Sequence, residues 1–346
     1  MLQNMKKIVT LLFIFNLSLQ LNAQKNATST DSISIFYDKL FSILKNEYVL
    51  KDEVDWKAVE TETNQDLIKY SDFRSSLNEI AIIFKKIAAT HSKVLYKNKE
   101  YSVKINVDKE NLSEQWKAKY VSNPGFEIKV LDGKFGYILL PSIRFLDTSP
   151  GNIHKIAQPL YDKIAEFKDQ NNIEGWILDL RFNTGGNSWP MLLALYDFLG
   201  DNEVGGTIDV NKKIVSKIKL SKGKYMDNSK KLSYINPKGA LLDKEKVAVV
   251  TSMVTASSGE VTALAFKGRQ NTIFIGEKTL GMTTSNIGRE LPFDSLLVLS
   301  TAYDCDRSGS FHERIIPDIV ISKQDSFNDL LSDKNILEAI KFILAK

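Results

Sequence analysis

Apolar positions along this 346-residue chain change their spacing several times, and each change marks a predicted element. From Ile33 to Ala89 the spacing is helical. Phe36, Leu40, Ile43 and Leu44 share one face, and Ile80, Ile83, Phe84 and Ile87 share another. This predicts a small N-terminal helical domain over 24–92, ending near Thr90-His91-Ser92. A mixed connecting segment follows over 93–125, with a short strand at 101–107. Next comes a hairpin, 126–131 and 134–140, because Asp132-Gly133 between apolar runs is a tight-turn signal. Residues 151–168 read as an amphipathic helix and 173–180 as a buried strand; Gly185-Gly186 then leads into a helix over 190–199. The alternation resumes with a strand at 246–251, a helix at 257–268 and a strand at 272–276. A hairpin over 288–291 and 296–302 and a last helix over 326–344 complete the pattern.

Strands alternating with helices predict an α/β core, here 126–323, followed by a C-terminal helical segment at 324–346. Residues 201–241 interrupt it as an insertion rich in lysine, glycine and asparagine, whose lysines read most simply as a solvated face. The first 23 residues read as a secretory signal peptide. Lys6 and Lys7 precede an apolar run over 8–21 that is too short to span a bilayer, and Ala23 offers a small residue for cleavage. An exported, periplasmic or secreted protein is expected, without an integral membrane segment once the leader is removed.

Composition narrows the chemistry. Net charge is +4 without a long basic run, so nucleic-acid binding has no support. The single cysteine, Cys305, cannot form an internal disulfide. Three histidines and one cysteine spread along the chain give no metal set, and no phosphate-cradling glycine motif is present, so neither metal nor cofactor is expected.

The most informative stretch is Thr255-Ala256-Ser257-Ser258-Gly259-Glu260, which lies between a predicted buried strand and a predicted helix. A serine at that turn sits near unpaired N–H groups at the positive end of a helix, a place suited to developing negative charge. An ordinary Ser/Gly cap reads the same residues without chemistry. Three segments in order change the balance. They are Asp179-Leu180-Arg181-Phe182-Asn183-Thr184-Gly185-Gly186, then the serine turn with Gly276-Glu277-Lys278-Thr279-Leu280-Gly281, then Pro317-Asp318-Ile319. Together they resemble the carboxy-terminal processing protease and tricorn-type serine peptidase family, over about residues 75–320.

The resemblance implies a crotonase-like ββα spiral core and a serine peptidase acting on a peptide or protein substrate. It places the nucleophile three residues before the glutamate of the serine turn, at Ser257, with oxyanion donors from Ser258 and from Gly185 or Gly186. The processing-protease branch uses a lysine just after the last glycine of the second segment, where this chain has Met282; Lys278 is a poor substitute. The tricorn-type branch uses a histidine and a glutamate, which His91 and Glu313 match. Histidine titrates in the range a general base needs, and a carboxylate would hold its tautomer. His154 and His312 read as surface residues. Relatives often carry a peptide-binding module between these regions, but about 45 residues between His91 and Gly136 leave no room for one. The rival function is a non-catalytic protein on the same fold that binds peptides or apolar small molecules, a reading Met282 keeps open. Crotonase-like thioester chemistry rests on fold analogy alone.

Overall fold

The computed structural model describes residues 29–105, 107 and 109–345; the predicted signal peptide lies outside them. The chain forms two compact units. The first takes residues up to Ile105 together with Asn286–Ser300, and the second takes the rest.

In the first unit, α1 (Ser29–Glu47), α2 (Trp56–Leu67), α3 (Phe73–Ser76) and α4 (Glu79–Lys86) form the helical part. Asp55 and Asp72 cap α2 and α3 by accepting from Ala58 N and Ser75 N, which satisfies donors a helix start leaves open. The faces read from sequence are the buried ones: Phe36, Leu40, Leu44, Ile80, Ile83 and Phe84 all lie in the core. A hairpin, β1 (Lys93–Tyr96) and β2 (Lys99–Ser102), follows in place of the strand predicted at 101–107. β1 pairs on its other edge with a strand from far along the chain, Lys93 opposite Val298 and Tyr96 opposite Ser295.

The second unit is built on a six-stranded sheet. It contains α5 (Glu114–Val121), β3 (Glu127–Leu131), β4 (Phe135–Leu139), α6 (Pro150–Gln170), β5 (Gly175–Asp179), α7 (Ser188–Ala194) and α8 (Tyr196–Leu199). The meander β6 (Glu203–Ile208), β7 (Ile214–Ser221), β8 (Lys224–Asp227) and β9 (Lys230–Tyr234) occupies the predicted insertion. Then come β10 (Val247–Thr251), α9 (Ser258–Phe266), β11 (Thr272–Gly276), β14 (Ile319–Val320) and α10 (Lys334–Leu344), while β12 (Thr284–Leu291) and β13 (Ser295–Cys305) divide between the units, their residues 286–291 and 295–300 belonging to the first. The sheet order is β14-β11-β10-β5-β4-β3, parallel except for β3.

Both faces of this sheet are covered, so its central strands are buried throughout rather than alternating. Ile138, Leu178 and Val249 pack toward Tyr161, Leu192 and Phe266 of the helices on one face. Tyr137, Ile177 and Val250 pack toward Trp116, Ile336 and Ile343 on the other. At the end of β5, Arg181 is fully buried. Its Nη2 donates to Asp179 at 2.6 Å, and its Nη1 donates to Asp325 and Asp333 at 2.7 Å each. The Arg181 carbonyl accepts from Ser252 Oγ at 2.8 Å, which ties the end of β5 to the turn after β10. This three-carboxylate clamp fixes the chain exit from which the Asn183–Gly186 turn projects.

The predicted last helix begins late. Asp333, drawn in by Arg181, caps Asn335 N and Ile336 N, so α10 starts at Lys334. Among the described residues, no helix is long and apolar enough to cross a membrane.

Candidate active site

The serine turn is a strand–turn–helix junction. β10 ends at Thr251, and Thr255 Oγ1 reaches the Leu180 carbonyl at 2.9 Å. Ala256 N donates to Asn183 O at 3.0 Å, so the turn after β10 is laid against the turn after β5. Ser257 follows with φ 53° and ψ −120°, outside the regions an L-residue favours. Such a conformation costs on the order of 1–3 kcal/mol and persists only where surrounding structure enforces it. α9 begins at the next residue and is buried almost all round. The Ser258 N–H is among the first-turn donors that a helix leaves without an intrahelical acceptor. Its hydroxyl donates to Gly186 O at 2.8 Å.

Glu260 is the hub that holds this geometry. Its side chain is wholly buried. Oε2 accepts from Ser257 N at 2.9 Å and Met282 N at 2.7 Å; Oε1 accepts from Thr279 Oγ1 at 2.5 Å and Gly281 N at 2.9 Å. One carboxylate therefore fastens the strained serine and the 279–282 loop together. Burial raises its pKa, and the four donors pull it back. In the sequence, Glu260 serves only to mark the position of the serine. The S-x-x-E capping-box pattern was the signal that could have found its role.

Gly185 and Gly186 carry φ of 108° and 119°, which only glycine adopts without strain. A Cβ on Gly185 would lie 2.9 Å from Ser257 Cβ and 3.3 Å from its Oγ, so this glycine packs directly against the serine. Gly185 N already donates to Asn183 Oδ1 at 3.2 Å. Gly185→Ala is expected to push Ser257 aside and slow its reaction with an active-site probe by about a hundredfold, the effect of an ångström of misplacement. A labelling rate within twofold of the parent would show that Gly185 does not set the serine position.

Asp304 on β13 is a second buried carboxyl near Glu260, and sequence gave no sign of it. Its backbone N donates to Thr283 O at 2.9 Å. Burial first, and the Glu260 charge second, push it up to about 7. The folded value thus lies above the unfolded value near 3.8, so the protonated form favours folding. That contribution is complete below pH 4 and is lost as pH rises through 7, on the order of 4 kcal/mol in all. Asp304→Asn is expected to raise Tm by several degrees at pH 8 and to leave it nearly unchanged at pH 4. Equal shifts at both pH values would contradict this.

His91 lies in the first unit, half-buried, on the turn between α4 and β1. Its carbonyl accepts from Asn286 Nδ2 at 3.3 Å. Glu313 lies in the second unit with its side chain 78% exposed and Arg314 Nη2 3.4 Å from its carboxylate. His312 pairs with Asp306 at 2.8 Å, and His154 Nδ1 meets Tyr234 O at 3.0 Å, so both have structural partners. Met282 contributes its backbone N–H to Glu260. Cys305 is buried at the end of β13, which pushes its thiol up to about 11. Among the described residues, no group of three or more histidine, cysteine, aspartate or glutamate side chains could hold a metal ion.

Comparison with known proteins decides the family. The sequence profile of peptidase family S41 matches residues 134–321, more than half of the chain. The chain belongs to peptidase family S41. The profile takes in the Asp179–Gly186 segment, the serine turn, the Glu260 hub and Glu313, whereas His91 precedes it. S41 is a family of serine-type peptidases. The nisin-resistance protein of Lactococcus lactis subsp. lactis is 30% identical to this chain over 213 residues. That match covers 61% of this chain and 62% of the relative, so this chain spans less than two thirds of that relative's length. A lipoprotein from Streptococcus agalactiae shares the fold with a TM-score of 0.62 and 23% identity, over 89% of this chain and 94% of that one. A peptidase-like protein from Parabacteroides merdae gives a TM-score of 0.59 at 18% identity, over 93% and 98%.

Proposed function

We propose that this chain is an exported serine endopeptidase of the tricorn-like branch, with Ser257 as nucleophile and His91 as general base. The observation that carries the reading is the enforced strain at Ser257. One hydrogen bond from Ser257 N to a buried carboxylate that three further donors anchor to the 279–282 loop, and a glycine turn packed on its side chain, hold a serine in a conformation that an ordinary cap does not require. His91 takes the Ser257 proton, and the alkoxide attacks a peptide carbonyl. Ser258 N–H and a glycine N–H hold the oxyanion, with Gly186 favoured because Gly185 N–H is engaged by Asn183. The imidazolium then protonates the leaving amine, and water hydrolyses the acyl-enzyme. Glu313 is the candidate to orient His91. Its exposed carboxylate makes it the most weakly held member, so Glu313→Gln is expected to cost far less activity than loss of the serine.

The relative named for nisin resistance and the structure of a lipoprotein support the reading of export, as does the leader-like sequence over 1–23. The test is digestion of an unfolded protein substrate, with new termini identified by mass spectrometry. New termini that vanish with Ser257→Ala support the proposal. Identical termini from both proteins, or none from either, oppose it.

A further inference from the structure

The segment between β4 and α6 runs beside the glycine turn and is pinned there. Asn187 N donates to Ile143 O at 2.7 Å, and Asn187 Nδ2 donates to Phe145 O at 3.0 Å. Period-two alternation then sets the side chains: Ile143 and Phe145 pack on the core, and Arg144 between them is exposed. Its stem lies on the glycine turn, since a Cβ on Gly186 would come within 3.1 Å of Arg144 Cγ. Its Nη2 donates to Thr184 Oγ1 at 2.9 Å, and that hydroxyl lies 3.0 Å from Ser142 Oγ. The guanidinium is thus held by neutral oxygens and forms no ion pair with any described carboxylate. The nearby Asp147 is engaged with Ser149 N at the head of α6. A positioned guanidinium with an open donor edge suits a carboxylate, which it can hold through two parallel hydrogen bonds.

We propose that Arg144 is a specificity-determining residue that binds a carboxylate of the substrate peptide close to the scissile bond. This deepens the peptidase reading and rests on it for the position of the scissile bond. Gly186 beneath Arg144 and Gly185 against Ser257 are consecutive, with Cα atoms about 3.8 Å apart. That places the guanidinium on the order of 10 Å from the nucleophile, or about three residues of an extended peptide. The carboxylate is either an acidic side chain or a free C-terminus within that reach.

The test uses peptides bearing Asp or Asn at each position within three residues of the scissile bond, each made as free acid and as amide. Affinity is measured on Ser257→Ala, which requires no turnover, and kcat/KM on the active protein. The expected result is about tenfold tighter binding of the carboxylate form at one position, as for a hydrogen-bonded ion pair. This preference should shrink in Ser257→Ala/Arg144→Gln and persist in part in Ser257→Ala/Arg144→Lys. With Arg144→Glu it should reverse toward a lysine-bearing peptide, a gain that misfolding cannot imitate. An Asp-over-Asn effect assigns a side chain, and an acid-over-amide effect assigns the terminus. Equal binding of all forms, or a preference that survives Arg144→Gln, overturns the assignment. Carboxylate-dependent binding without turnover or a Ser257 adduct in the parent would sustain Arg144 while overturning the peptidase reading.

Discussion

A fluorophosphonate probe is expected to add to Ser257, and the adduct should be absent in both Ser257→Ala and His91→Ala. Removal of the nucleophile leaves no atom to carry the probe. Removal of the base leaves a hydroxyl that is a weak nucleophile at neutral pH, because serine depends on a neighbouring base for activation. Either change is expected to lower peptide turnover by several orders of magnitude, to the residual rate that binding and oxyanion contacts alone support. Both variants should unfold at nearly the parental temperature, since both side chains are only partly buried. An adduct that persists in His91→Ala would move the base elsewhere, with Lys278 next to be tested. A folded parent that takes no probe would favour the binding-protein reading that Met282 keeps open.

The second large effect is expected at Glu260, on stability and activity together. In Glu260→Gln one oxygen becomes an amide nitrogen, which faces two backbone N–H donors at the Oε2 position and one at the Oε1 position, where the Thr279 hydroxyl can turn to accept. Hydrogen bonds to a charged acceptor are worth about 1.5–3 kcal/mol each, so the loss of one or two should cost about 1.5–6 kcal/mol and on the order of 10 °C in Tm. Whichever oxygen is lost, either Ser257 N or the 279–281 loop is released. Probe labelling should therefore slow even at temperatures where the variant remains folded. Parental labelling in a destabilised but folded Glu260→Gln would make Glu260 a stability residue with no hold on the serine.

Much of this was legible because local chemistry and global fold agree. Asp132 and Gly133 adopt φ of 46° and 69°, the left-handed pair a tight hairpin turn demands, and the dipeptide announces it. The apolar runs of β5 and β10 predicted buried strands, and the serine turn lies between a strand and a helix as read. What escaped depends on partners distant in sequence. The helix predicted over 190–199 is broken at Leu195 into α7 and α8. The helical pattern over 326–333 gives way because Asp333 serves both as a cap and as an Arg181 partner, and Arg181 is 152 residues away. Asp304 looks like any polar residue in a strand. Its buried position emerges only when β13 is set beside β6, where Asp304 faces Thr207.

The pairing of β1 with residues 295–298 also sets the order of events as the chain is made. His91 and β1 leave the ribosome about 200 residues before the strand that completes their unit, roughly 10–40 s at ordinary rates of synthesis. The intervening segment is almost entirely the second unit, so closing the first requires a long loop and raises contact order. An N-terminal fragment released before residue 300 would carry the histidine on an unfinished scaffold, with the outer edge of β1 unpaired.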